Sequence, residues 1–134
     1  MTKIIYVASA VFENKEGKIL LTRRPDHKIY PGYYEFPGGK IEAGEKPEEA
    51  LARELFEELH LNVACEDMRP LTFLSYTYPE HHAVLLVYHI KNWSGDLVLK
   101  ENQGGYHWVS KDEQNLPLLL PANQYLIHYI KEIL

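Results

Sequence analysis

The stretch FPGGKIEAGEKPEEALARELFEELHL, residues 36–61, decides how the chain must be read. From Glu35 to Glu58 the chain carries eight carboxylates and three basic side chains, an excess of −5 that equals the formal charge of all 134 residues. The remaining residues therefore balance, with eleven acidic and eleven basic groups. From Pro47 to Leu59 the pattern is helical. Pro47 suits a first turn, where its missing N–H costs little, and Glu48 and Glu49 suit the positive end of the helix dipole. At about 100° per residue, Leu51, Leu55 and Leu59 form one apolar stripe that would anchor the helix to a sheet. Glu54, Glu57 and Glu58 occupy a neighbouring arc. Like charges three and four apart oppose an exposed helix by roughly 0.2–0.5 kcal/mol per pair. A shared divalent cation would reverse that preference; a solvated acidic face is the plain alternative. The two adjacent glycines permit close approach and expose backbone oxygens, although such a pair also marks a tight turn. Hard oxygen ligands suit Mg²⁺, which keeps some waters and also touches phosphate. The local chemistry points to a metal-assisted reaction of a phosphorylated substrate.

Working outward, the length suits one domain, residues 1–134, with a sizeable core. A composition of 46% hydrophobic and 25% charged residues is that of an ordinary soluble protein. No apolar run approaches the roughly 20 residues needed to cross a bilayer, and the start, MTKIIYVASAVF, lacks a secretion-signal pattern. Cys65 is the single cysteine, which excludes an internal disulfide and a Cys-rich metal site. These features predict a cytoplasmic protein with no membrane partner. Mild net acidity argues against a broad nucleic-acid surface, which needs clustered Lys and Arg. The seven histidines show no ligand spacing, and adjacent His81 and His82 on a strand would point to opposite faces.

The spacing predicts a strand over 5–12, a turn at 13–18 and a hairpin partner over 19–24. Residues 25–40, rich in Pro and Gly, read mostly as loop, with a short strand at 33–36. Further strands are predicted over 71–78, 82–90 and 105–110, and a terminal helix from Pro121 uses Leu126, Ile127, Ile130 and Leu134 for apolar contacts. This order predicts a mixed α/β domain with a curved sheet packed against helices.

The 23 residues from Gly39 to Leu61 resemble the Nudix box through Gly39, Glu45, Arg53, Glu54, Leu55, Glu57, Glu58 and Leu61. His60 stands where the box has glycine, at a helix exit that favours a left-handed backbone. The resemblance extends to the MutT-like 8-oxo-dGTP diphosphatase branch through ILLTRRPDHKIYPGYYEFPGGKIEAGE (19–45), KEN (100–102) and LPANQYL (120–126). It implies an α/β/α sandwich with a curved mixed β-sheet, one catalytic loop–helix–loop and a C-terminal helix. It further implies Mg²⁺, with Mn²⁺ as a substitute, held by Glu54, Glu57, Glu58 and a backbone oxygen near Gly38, with Glu101 as a fourth carboxylate. Glu54, Glu57 or Glu101 would help deprotonate the attacking water. Glu45, Gly39 and Arg53 would brace the box, Arg53 also standing as a catalytic candidate. Arg23 would contact phosphate or base, and Asn123 would read the base, with helix capping as its alternative role. Arg24 and Lys40 are equally readable as surface charge.

The reaction implied is hydrolysis of a nucleoside triphosphate to monophosphate and pyrophosphate, favouring oxidised guanine nucleotides and so cleansing the nucleotide pool. The alternatives are a pyrophosphohydrolase for CTP, dCTP or another diphosphate-linked nucleoside, and a catalytically inactive nucleotide sensor. The expected partner is a small nucleotide, with the chain a monomer or homodimer.

Overall fold

The computed structural model describes residues 3–100 and 104–134. Strand β1 (Lys3–Phe12) alternates between two buried faces, with Val7 and Val11 on one and Ala8, Ala10 and Phe12 on the other. A strand apolar on both faces must lie between two layers, and the topology places it there. β1 runs parallel to β6 (His81–Ile90) along its whole length and antiparallel to β4 (Gly38–Lys40). β5 (Met68–Thr77) joins β6 antiparallel, giving a mixed sheet of order β4-β1-β6-β5. A second sheet contains β3 (Tyr34–Glu35), β2 (Ile19–Arg23) and β7 (Tyr106–Val109), in the order β3-β2-β7.

Two helices cover opposite faces of this strand layer. Leu51, Leu55 and Leu59 of α1 (Pro47–Leu59) pack with Ala8, Ala10, Phe12, Leu20 and Ile90. Leu126, Ile127 and Ile130 of α2 (Pro121–Ile133) pack with Val11, Ile19, Leu21 and Leu85. The result is an α/β/α sandwich with a mixed sheet and a C-terminal helix. Trp93 and Trp108, stacked with centroids 6.1 Å apart, close the α1 side. No helix among the described residues is long and apolar enough to cross a membrane.

The 19–24 segment is not the hairpin partner of β1. The chains bridge only at Glu13 and Ile19 and then diverge, because β1 is taken by β4 and β6 while β2 is taken by β3 and β7. Residues 25–33 are loop as expected and the short strand expected at 33–36 is β3; the chain then adds β4, which pairs in the other sheet. β3 also fixes the far side of the molecule. Tyr34 donates its N–H to the Leu118 carbonyl at 2.7 Å and accepts from the Leu120 N–H at 3.0 Å, so the start of α2 is tied beside it.

Candidate active site

Helix α1 begins where Glu49 reaches back to accept the Lys46 N–H at 2.8 Å, filling one of the donors that a helix start leaves unpaired. It ends at His60, whose φ of 58° and ψ of 25° are left-handed. Between these ends its polar arc faces β4. The approach is close enough to require glycine twice. A Cβ on Gly38 would lie 2.0 Å from the Ala8 carbonyl oxygen, and one on Gly39 would lie 2.4–2.7 Å from the Glu54 carboxylate.

Arg53 organises the acidic side chains. Its Nε donates to Glu45 Oε2 at 2.8 Å and its Nη2 to Glu45 Oε1 at 3.0 Å, a two-pronged pair. Nη1 donates to Glu54 Oε1 at 2.9 Å and, more distantly, to Glu57 Oε2 at 3.5 Å. With Glu42 Oε1 3.9 Å from Nη2, Arg53 thus pairs with four carboxylates rather than with Glu57 alone. Arg53 and the Glu42 N–H, which donates to Glu45 Oε1 at 2.9 Å, hold the Glu45 carboxyl down at about 2.

Glu58 behaves oppositely. Burial, then the adjacent Glu54 charge and a hydrogen bond shared with it, push the Glu58 carboxyl up to about 8. Glu54 and Glu58 are therefore brought together, Glu54 against Gly39, whereas Glu57 stands aside, with half of its side chain exposed. Glu101 lies outside the described residues. Among the described residues no three acidic, His or Cys side chains converge on one point. Two crowded carboxylates, one pushed towards its neutral form by burial and by the other's charge, are nevertheless a donor set that a hard cation would relieve. Such an ion would complete its shell with backbone oxygen, water or phosphate.

The nucleotide-contact candidates Arg23 and Asn123 lie on β2 and α2. Arg23, at the end of β2, bonds Asp26 at 3.1 Å; a Cβ on Gly104 would lie 2.0 Å from its guanidinium. Arg24 is not a solvated surface charge. Its Nη1 donates to both Glu35 carboxylate oxygens, at 3.1 and 3.3 Å, and its Nε to the Ile29 carbonyl at 2.7 Å. Glu35 is pushed up by burial, against the opposing pull of Arg24. Asn123 is buried and does not cap α2, where Leu120 is the N-cap. Its Oδ1 instead accepts the Phe36 N–H at 2.9 Å. Two of the histidines have partners of their own: His89 pairs with Glu13 at 2.8 Å, and His81 stacks on Tyr78.

The NUDIX domain profile matches residues 3–130. The chain belongs to the Nudix family. Its likeness runs to the MutT-like branch: it is 36% identical over 126 residues to the 8-oxo-dGTP diphosphatase of Haemophilus influenzae, covering 94% of this chain and 90% of that one. It is also 34% identical over 127 residues to the CTP pyrophosphohydrolase of Escherichia coli, covering 90% and 87%. Among solved structures, the E. coli ORF135 protein superposes with a TM-score of 0.82 at 30% identity, over 98% of this chain and 91% of that one. This Nudix chain therefore carries the hydrolase fold of its family from end to end of the matched region. Two features of its site escaped the sequence pattern: the Arg24–Glu35 pair and the anchoring of Asn123 on Phe36. Both join residues of different elements, and no local spacing signals either.

Proposed function

We propose that this Nudix chain is a cytoplasmic, Mg²⁺-dependent pyrophosphohydrolase of nucleoside triphosphates that favours oxidised guanine. The observation that carries the reaction is the Glu54–Glu58 pair on α1, with Glu54 against Gly39 and Arg53 gripping Glu54 and Glu45. Mg²⁺ bound there would neutralise phosphate charge and render water nucleophilic at neutral pH. Glu54, Glu58 and a carbonyl oxygen near Gly38 are its candidate holders, with Glu57 and Glu101 completing the carboxylate set. Arg53 keeps Glu54 aimed, and Glu45 keeps Arg53 in place. A carboxylate of this group accepts the proton of the attacking water. Arg23 offers a planar, two-pronged donor to phosphate. Attack on phosphorus releases a nucleoside monophosphate and pyrophosphate.

The base preference rests on Asn123. Its oxygen already faces the Phe36 N–H, so its amide orientation is set, and the Nδ2 group has no protein acceptor among the described residues. A carbonyl oxygen has two lone pairs. The second can accept the N7–H that oxidised guanine carries, while Nδ2 donates to O6. Ordinary guanine presents acceptors at both positions, and the mismatch of two acceptors costs about 1–3 kcal/mol. The likeness to a CTP pyrophosphohydrolase supports a second reading, in which the same amide faces the cytosine edge.

The test is a set of time courses for 8-oxo-dGTP, dGTP, dCTP and CTP with and without Mg²⁺, with products identified. Pyrophosphate release from 8-oxo-dGTP well ahead of dGTP is expected. Faster turnover of dCTP or CTP would favour the second reading, and nucleotide binding without product would make the chain a sensor. Glu54→Gln and Glu58→Gln should each raise the Mg²⁺ concentration for half-activity by more than about tenfold; unchanged metal dependence in both would move the reaction elsewhere.

A further inference from the structure

Asn123 is framed by a closed circuit of contacts. Its oxygen holds the Phe36 N–H at 2.9 Å, and the preceding Glu35 is held by Arg24. In the other direction, the preceding Ala122 donates its N–H to the Tyr78 hydroxyl at 3.4 Å. The Tyr78 ring packs against Tyr30 at 5.9 Å, and the residue before Tyr30 is Ile29, whose carbonyl accepts Arg24 Nε at 2.7 Å. One guanidinium therefore closes the circuit, linking the strand that carries the base reader's anchor to the loop that carries Tyr30.

Tyr30 is itself unusual. Its φ of 58° is left-handed, and it shares that feature only with His60 among the described non-glycine residues. Such a backbone costs a non-glycine residue roughly 1–2 kcal/mol and persists only where the surroundings over-determine it. The restraints are the Arg24 bond to the adjoining carbonyl, the Tyr33 N–H on the Tyr30 carbonyl at 3.3 Å, and edge-on packing with Tyr33 at 5.5 Å. A ring fixed by its own strained backbone, and joined through Tyr78 to the residue before the proposed base reader, is the arrangement a base-stacking wall requires.

We propose that Arg24 is a specificity-positioning residue, whose guanidinium holds Tyr30 as the aromatic wall of the base site in register with Asn123. The assignment rests on the nucleotide reading above and deepens it. The side-chain partners of Arg24 are the Ile29 carbonyl and Glu35, so it acts through Tyr30 and Glu35. Lysine cannot replace it, because a single ammonium lacks the planar fork whose Nε and Nη1 serve two acceptors at once.

The test is equilibrium binding of 8-oxo-dGMP, dGMP and dCMP by calorimetry without metal, for wild type, Arg24→Lys, Tyr30→Ala and the double variant, each first checked for folding by its Tm. Wild type is expected to discriminate among the three bases. Arg24→Lys and Tyr30→Ala should each shrink the ratio of best to worst by roughly five- to tenfold. Adding Arg24→Lys to Tyr30→Ala should change it by less than about twofold, since both remove one wall. Equal wild-type binding of all three, a full ratio in Arg24→Lys, or independent additive losses would overturn the proposal. Discrimination in binding without any turnover of triphosphates would instead overturn the enzymatic reading alone.

Discussion

Phe36 donates its backbone N–H to Asn123 Oδ1 at 2.9 Å across 87 residues of chain. The bond is buried, and it fastens the first turn of α2 to the end of β3. On the proposed reading it also dictates which end of the amide looks towards a bound base.

Truncating Asn123 therefore confounds recognition with stability. Asn123→Ala leaves the buried Phe36 N–H without its acceptor, a cost of about 1–3 kcal/mol that should appear as a lowered Tm. Asn123→Asp keeps an acceptor for Phe36 and removes the N–H donor. At pH 7.5 its Tm should stay closer to wild type, while the kcat/KM ratio of 8-oxo-dGTP to dGTP falls roughly tenfold. An unchanged ratio in Asn123→Asp would remove the residue from base reading.

Gly38 and Gly39 are adjacent but should fail differently. A methyl group on Gly38 meets the β1 backbone at 2.0 Å, and backbone in a sheet does not yield. Gly38→Ala should lose at least about 1–3 kcal/mol of stability by overpacking. A methyl group on Gly39 meets the end of the Glu54 side chain, which can swing away. Gly39→Ala should keep most of its Tm but need about ten- to hundredfold more Mg²⁺ for half-activity. Thermal melts and metal titrations of the two variants separate the cases; a matching loss of Tm in both would refute the distinction.

Much of this was legible locally. The bounds of α1 follow from Pro47, the early glutamates and the leucine stripe, because those signals act within a few turns of one helix. β3 and the start of α2 at Pro121 were equally local. What escaped was pairing between distant segments. The turn at 13–18 reads as a hairpin, yet β2 enters the other sheet because β4 and β6 already occupy β1. Asn123 looked able to cap a helix, but three residues inside the first turn its side chain met Phe36 instead. Arg24 carried no local sign of its partner, since Glu35 reaches it only once β2 and β3 pair.

The Glu45–Arg53 pair should leave an acid signature. The folded Glu45 carboxyl sits at about 2, below the ordinary 4.5, chiefly through Arg53. A depressed carboxyl contributes stability that is complete above its unfolded value and is lost as pH falls towards the folded one. The contribution should therefore fade between about pH 4.5 and 2. Glu45→Gln should be less stable than wild type at pH 7, and the gap should narrow across that window. Urea melts at pH 7, 4.5 and 3 measure it; a gap independent of pH would mean that the pair acts by packing rather than charge.

His60 tests whether the box exit is strained. Its backbone is left-handed, with φ at 58°, and its ring stacks on the exposed Phe56 ring at 5.8 Å. Replacement by alanine removes the stack and keeps the backbone penalty, whereas glycine removes both. Stability differences between His60 and either variant mix these terms, but the difference between the two variants isolates the backbone. Glycine should exceed alanine by roughly 1 kcal/mol, because a Cβ in this conformation crowds the following carbonyl. For a domain of this size that is a Tm difference of about 3–6 °C. The opposite order, with alanine the more stable, would mean that the chain leaves α1 by an ordinary right-handed turn, and the geometry of the loop after the carboxylates would have to be redrawn.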